Sequence, residues 1–168
     1  LPKRTDVREH DTWDLRSLFA SDAEWDVALL EWEKRIPLFR DYVGTLSESA
    51  DKLAQCLIFD LEIDREADRL GTYAHLRMSE DTAATPAQRM MGRFQHAATK
   101  AGEFASFLQP ETMSIEPTVL EQWLEEPVLQ PFRLMLERVV RNRPHVLSEP
   151  EERILAMQGT FAGTAGKV

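Results

Sequence analysis

Four histidines, His10, His75, His96 and His145, are the side chains best suited to metal or acid–base chemistry in this sequence. A metal site on a helix needs ligands three or four residues apart, so that both face one ion. None of the four follows a glutamate by three residues, and none has a second histidine four residues away. The sequence therefore predicts no Glu-x-x-His di-metal site and no His-Glu-x-x-His zinc site within this chain.

The single cysteine, Cys56, is the other candidate for chemistry, as a nucleophile. It lies within the apolar run 53–58, with no cation beside it to lower the pKa of its thiol. We interpret it as a small buried hydrophobic residue, and a lone cysteine excludes a disulfide within the chain. No Gly-x-Ser-x-Gly elbow, phosphate-binding loop or dinucleotide fingerprint is present. We therefore predict no catalytic residue here, and neither a metal ligand nor a cofactor site.

Carboxylates are concentrated between residues 60 and 68, in a run that contains Arg65 and is followed directly by Arg69. The acidic members of this run are Asp60, Glu62, Asp64, Glu66 and Asp68. Opposite charges three or four residues apart on a helix form weak pairs that face solvent. We interpret the run as a solvated helix face with intrahelical ion pairs.

The segment Tyr73-Ala74-His75-Leu76-Arg77 contains the most informative polar group, His75. We interpret His75 as a structural histidine bonded to a neighbouring helix, with a substrate contact as the alternative. Tyr73, His75 and Arg77 are the first residues to mutate in a search for substrate contacts. The substrate-binding residues themselves stay unknown at this stage.

The overall composition excludes several classes of protein. The 168 residues carry 20 basic and 29 acidic side chains, a net charge of −9, with no dense basic stripe, which disfavours a nucleic-acid partner. No apolar run approaches the length of a membrane span, and the first residues lack the apolar core of a signal peptide. We therefore expect a soluble cytoplasmic protein without a membrane partner.

Residues 1–20 are predicted to form an extended lead-in, with the cluster 12–15 docked on the domain. Ser21 and Glu24 have the spacing of a capping box, which begins a helix. Pro37 is expected to kink this helix or to split off its last turn. The helix presents apolar residues at steps of three and four: Trp25, Leu29, Trp32, Ile36, Phe39 and Val43.

Further helices follow, and no alternating strand pattern is present. Residues 49–83 are predicted to be helical in two pieces, because the apolar face shifts after Leu61. A third helix is expected from Thr85-Pro86 to Gln109-Pro110, with Ala98, Gly102 and Ala105 allowing close helix approach. Shorter helices are expected from Pro117, over 129–139 and from Ser148. The predicted fold is an all-α antiparallel bundle with shorter C-terminal helices, and residues 21–168 form one helical domain.

Thr12-Trp13-Asp14-Leu15 and Tyr73-Ala74-His75-Leu76-Arg77 are the clearest members of an ordered set of segments. The set resembles the oligoendopeptidase F-like peptidases. The others, in chain order, are residues 1–4, 18–25, 80–82, 136–138, 143–145 and 147–155. Their order and spacing hold from Leu1 to about Leu155, which makes the set more specific than any one segment.

The resemblance implies a zinc metallopeptidase that hydrolyses short peptides in a deep channel of a helical clamshell. The family's His-Glu-x-x-His helix and its further glutamate ligand lie in the C-terminal part, which this sequence lacks. The chain is thus expected to be the non-catalytic N-terminal domain, which helps to wall the channel. Its expected partner is the missing catalytic domain, and the isolated chain is expected to expose apolar surface and self-associate. A free-standing helical interaction domain without peptidase activity is the alternative, and the missing Glu-x-x-His pairs disfavour a di-metal oxidase.

Overall fold

The computed structural model describes residues 7–8 and 11–142, and over these residues the fold is helical without any β-strand. The all-α prediction is confirmed. The α-helices are α1 (Asp22–Arg35), α2 (Ala50–Glu80), α3 (Thr85–Ala105), α4 (Leu108–Ser114), α5 (Pro117–Trp123) and α6 (Arg133–Asn142). Short 3-10 helices occupy Leu15–Ser17, Ile36–Asp41 and Pro127–Phe132. Within the described residues no helix has the length and apolarity needed to cross a membrane.

The start of α1 follows the predicted capping box in a modified form. Ser21 is the N-cap, and its hydroxyl accepts a hydrogen bond from the backbone N–H of Glu24 at 3.2 Å. The Glu24 carboxylate reaches back one residue further than usual and accepts from the N–H of Ala20 at 2.7 Å. These contacts satisfy backbone donors that a helix start otherwise leaves unpaired, and such caps contribute about 1 kcal/mol.

Pro37 splits off the end of the first helical segment, as predicted. The α-helix ends at Arg35, and Ile36–Asp41 continues as a 3-10 helix with Pro37 near its start. Proline has no N–H to donate to the preceding turn, and its ring crowds the carbonyl four residues earlier. The apolar stripe nevertheless continues through the change of helix type, because Ile36 and Phe39 are both buried.

Helix α2 is continuous over 31 residues, so the predicted break in this region is wrong. The shift of its apolar face has another cause, since α2 lies against two separate cores. Leu53 and Leu57 are buried with the C-terminal helices, whereas Ile63 and Leu70 are buried with α1 and α3. At 1.5 Å per residue, α2 is roughly 46 Å long and forms the common support of both cores.

Two tryptophans join α1 to α2 in an antiparallel arrangement. The indole Nε1 of Trp25 donates to the carbonyl of Leu70 at 2.9 Å, and that of Trp32 donates to the carbonyl of Ile63 at 3.0 Å. The later tryptophan on α1 bonds the earlier residue on α2, which is the antiparallel order that the predicted bundle requires. Both indoles are fully buried, and their N–H groups are satisfied.

Helix α3 begins at Thr85 with Pro86 in its first turn, as predicted, but it ends at Ala105 rather than at Pro110. Pro110 instead lies in the first turn of α4, which begins at Leu108. A proline is tolerated there because the N–H groups of a first helical turn have no intrahelical partner. The same residue that was expected to stop one helix therefore belongs to the start of the next.

Close approach of α2 and α3 occurs at Gly71. A Cβ at this position would lie 2.7 Å from the ring of Phe94 on α3. Gly102, which was expected to allow close approach, has no neighbouring atom within 4 Å of such a Cβ. The sequence contained both glycines, but only the packing distinguishes the one that is needed for contact.

Candidate functional site

Tyr73 and Arg77 of α2 meet one carboxylate, Asp22, at the start of α1. The Tyr73 hydroxyl donates to Asp22 Oδ1 at 2.7 Å. The Arg77 guanidinium donates through Nε to the same oxygen at 2.9 Å and through Nη2 to Oδ2 at 2.8 Å. This two-point geometry matches a planar guanidinium to a planar carboxylate, which gives the strongest class of ion pair.

Glu80 completes this polar cluster from the end of α2. Its carboxylate accepts from Arg77 Nη1 at 2.7 Å, and its side chain is only 11% exposed. The hydrogen bonds from Arg77 and Tyr73 lower the pKa of Asp22, whereas the Asp22 carboxylate raises that of Arg77. Partial burial, with the bond to Asp22, raises the pKa of Tyr73 to about 12. Asp22 is therefore ionised and Tyr73 protonated at neutral pH, so neither of them is suited to exchange a proton there.

The cluster forms one wall of a cleft of about 740 Å³ between the segment before α1 and the end of α2. Trp13 also lines the cleft and is 54% exposed, which is unusual for so large an aromatic side chain. The charged residues around the cleft are Asp14, Arg16, Asp22, Arg77 and Glu80. The sequence singled out Tyr73 and Arg77, but Asp22 and Glu80 were not recognised as their partners.

The segment before α1 is attached through Phe19 rather than through Trp13. The Phe19 ring is buried and meets the Tyr73 ring edge-on at a centroid distance of 5.3 Å. The guanidinium of Arg69 lies 4.2 Å from the Phe19 ring centroid, and its Nε donates to the carbonyl of Leu18 at 2.9 Å. Within the predicted docking cluster 12–15, Leu15 packs against the core as predicted, whereas the indole of Trp13 lines the cleft.

His75 does not fulfil the structural role that we predicted for it. Its side chain is exposed on α2 and hydrogen bonds no other described residue, while its backbone carbonyl accepts from the Ser79 hydroxyl. Tyr73 and Arg77 lie on the other side of the helix, since residues two apart do not share a face. His96 is also exposed, and His10 and His145 lie outside the described residues.

The acidic run on α2 pairs across helices instead of along its own helix, which corrects the prediction of intrahelical pairs. Arg35 of α1 donates to Glu62 through Nη2 at 2.6 Å and to Glu66 through Nη1. Asp60 is half-buried, and desolvation, with Asp64 nearby, raises the pKa of its carboxyl to about 6. Two members of the run thus pair with α1, and desolvation raises the pKa of Asp64 as well as that of Asp60.

Cys56 is fully buried in the core between α2 and the C-terminal helices, which we call the second core, as predicted for a small hydrophobic residue. Burial, with the nearby Asp60 and Glu111 carboxylates, raises the pKa of its thiol to about 12. A thiol with such a pKa stays protonated at neutral pH and is a poor nucleophile. Cys56 therefore contributes packing and not chemistry.

The side chains of the described residues give no support for a metal-binding site among them. Across residues 7–8 and 11–142, no three His, Cys, Asp or Glu side chains are grouped so that they could hold a metal ion. Zinc, which the family resemblance implies, does not fit the residues described here, so no reaction step can be assigned to them. The predicted absence of metal ligands and catalytic residues from the whole chain stays a prediction.

The sequence is similar to known peptidases along almost its whole length. The family model described as Oligopeptidase F matches residues 111–168. The Bacillus subtilis oligopeptidase PepF is 35% identical over 166 residues, which is 98% of this chain and 25% of PepF. The group B oligopeptidase PepB of Streptococcus agalactiae is 28% identical over 98% of this chain and 28% of its own length. The chain thus spans about a quarter of these relatives.

Solved structures share the helical arrangement. A protein from Chlamydophila abortus superimposes with a TM-score of 0.85 at 26% identity, over 98% of this chain and 28% of its own. The oligoendopeptidase-F of Enterococcus faecium superimposes with a TM-score of 0.68 at 31% identity, over 84% of this chain and 28% of its own.

Proposed function

We propose that this chain is a non-catalytic part of a peptidase for short peptides. The premise is that the chain belongs to the oligoendopeptidase F-like family as an N-terminal helical domain. The observation that carries the proposal is the 35% identity to B. subtilis PepF over 98% of the chain. The chain spans only 25% of PepF, so most of such an enzyme would lie elsewhere. In this proposal the domain forms part of the wall of the substrate channel.

The proposal assigns the chemistry to a part of the parent protein that this chain does not include. A zinc ion held there by a His-Glu-x-x-His helix and a further glutamate would activate the water that attacks the peptide bond. The residues of this chain would limit which molecules can reach that site. The two tryptophan hydrogen bonds and the Arg35 pairs hold α1 against α2, which suits a rigid wall that excludes folded proteins.

Apolar side chains on the surface are the proposed contacts with the rest of the parent. Ile58 and Leu61 on α2 are 45% and 42% exposed, and Leu134 and Met135 on α6 are 61% and 43% exposed. Adjacent apolar residues on a surface commonly mark an interface. Without that partner, the isolated chain is expected to self-associate, which size-exclusion chromatography with light scattering can measure.

The proposal is tested by comparing this chain with the protein that its complete reading frame encodes. The reading frame should contain a His-Glu-x-x-His motif, and the purified full-length protein should cleave short peptides until a chelator removes its metal. The 168-residue chain, at equal concentration, should show no chelator-sensitive cleavage. Turnover by the chain alone would overturn the non-catalytic assignment. Fractionation of the source cells tests the proposed cytoplasmic location.

A free-standing helical interaction domain is the second candidate, and the exposed apolar residues on α2 and α6 are the observation that favours it. Such a protein would recognise a partner through those residues and would perform no proteolysis. A complete reading frame without the zinc motif, together with a lack of peptidase activity, would favour this candidate over the first.

A further inference from the structure

The cleft lined by Trp13 and the Asp22–Arg77–Glu80 cluster has the size of a ligand site. Its volume of about 740 Å³ lies within the range of roughly 300–1,000 Å³ that is usual for pockets that bind small ligands. The cleft is open to solvent, since Trp13, one of its lining residues, is exposed. A site of this size can hold a short stretch of extended peptide but not a folded domain.

The charges around the cleft favour a cation. Of the described residues that line it, Asp14, Asp22 and Glu80 are acidic and Arg16 and Arg77 are basic, so the charge is 2 − 3 = −1. An indole face attracts cations through its π-electrons, and nearby carboxylates add to that attraction.

Tyr73 adds an acceptor to the same wall. Its hydroxyl hydrogen is donated to Asp22, so towards a ligand in the cleft its oxygen could act only as an acceptor. Because Asp22 is held at two points by Arg77, this acceptor is fixed in place before a ligand arrives. An ammonium or guanidinium group, with several donors and no acceptor, matches such a wall.

We propose that this cleft is an accessory peptide-binding subsite, in which Trp13 and the acidic wall hold a positively charged group of an oligopeptide. The group is a lysine or arginine side chain or a free amino terminus. This inference rests on the proposed function, because it assumes that oligopeptides are the ligands of the parent protein. It adds a charge preference that arises from this domain and not from the catalytic site.

The test measures binding of two matched hexapeptides to the 168-residue chain by isothermal titration calorimetry. One peptide carries two lysines at its amino end, and the other is identical except that its amino terminus and both lysines are acetylated, which removes the charges. We expect the charged peptide to bind about tenfold more tightly, with a difference that shrinks at high salt. Equal binding of the two peptides, or tighter binding of the acetylated one, would overturn the inference.

Substitutions test whether the tighter binding of the charged peptide arises in the cleft. Trp13→Ala should weaken binding of the charged peptide by about threefold to tenfold, whereas Trp13→Phe should keep most of the affinity. Val27→Ala is the matched control, because Val27 is 61% exposed on α1 and does not line the cleft. Circular dichroism checks that every variant is folded. An equal effect of Trp13→Ala and Val27→Ala contradicts the assignment.

The outcome of this binding test can be distinguished from the outcome of the cleavage test of the proposed function. Binding to the chain is measured without any cleavage, while the proposed function is tested by chelator-sensitive cleavage in the full-length protein. A full-length enzyme that cleaves peptides, together with a chain that does not distinguish the two hexapeptides, would overturn this inference alone.

Discussion

The ring of Phe94 on α3 occupies the space in which a Cβ on Gly71 of α2 would lie, at a distance of 2.7 Å. The same ring stacks on Trp32 of α1 with a centroid distance of 6.2 Å, so a shift of Phe94 would also change its contact with α1. One glycine thus allows three helices to meet, and its importance is testable because the chain contains a matched glycine elsewhere.

Gly71→Ala should lower the free energy of unfolding by about 1–3 kcal/mol, because the added methyl group overpacks the α2–α3 contact. Gly102→Ala, on α3 where no atom lies within 4 Å of the new Cβ, should raise it by about 0.5–1 kcal/mol through helix propensity. Urea denaturation followed by circular dichroism measures both values. Equal stabilisation by the two substitutions would show that Phe94 moves aside freely.

Asp22→Asn should destabilise the fold at pH 7 by about 0.5–1 kcal/mol, a modest value because the Asp22 carboxylate is 43% exposed. Hydrogen bonds from Arg77 and Tyr73 lower the folded-state pKa of Asp22 below its ordinary value of 3.8. The contribution of the carboxylate is therefore present above pH 3.8 and is lost as the pH falls through the lowered pKa.

The measurement for Asp22 is the difference in unfolding free energy between wild type and variant at pH 7 and near the acid limit of folding. Asp51→Asn is the matched control, since Asp51 also lies in the first turn of a helix and is exposed. A difference that is independent of pH would argue against the Arg77 pair as its source.

Asp60→Asn should stabilise the protein at pH 7 by about 1 kcal/mol, after allowance for the partial exposure of the carboxylate. Desolvation raises the folded-state pKa of Asp60 from 3.8 to about 6, so its ionisation opposes folding. The penalty is absent at low pH, grows between about pH 4 and 6, and is complete above pH 6. Asp68→Asn, on the exposed part of the same helix, is the control, and the same urea titrations at pH 4 and 7 test the difference.

Cys56 should react with iodoacetamide far more slowly in the native protein than in urea, by several orders of magnitude, because its thiol is buried and its pKa is raised to about 12. Mass spectrometry after timed quenching measures the rate. Rapid labelling in buffer would contradict the burial of Cys56 in the second core.

The position of α1 and the start of α3 could be predicted from local patterns in the sequence. Apolar residues such as Trp25, Leu29 and Trp32 recur at the helical period, and Ser21 with Glu24 has the spacing of a cap. Pro37 marked the change to a 3-10 helix, and Pro86 marked a helix start. These signals act over three to seven residues, and they depend on backbone geometry that is the same in any fold.

Partners distant along the chain could not be predicted in this way. The sequence suggested Tyr73 and Arg77, but their partner Asp22 lies 51 and 55 residues away. Any of the acidic residues on neighbouring helices could have paired with Arg77, since a charge pattern does not encode which helix faces will meet. The exposure of His75, against the prediction, has the same origin.

Taken alone, the sequence determined the all-helical class, the helix caps, the burial of Cys56 and the resemblance to oligoendopeptidase F-like peptidases. The tertiary structure decided that α2 is a single helix, that Gly71 and not Gly102 lies at a helix contact, and that Trp13 faces a cleft. The reason is physical. An amphipathic pattern records which side of a helix is buried, whereas only the packed fold specifies what buries it.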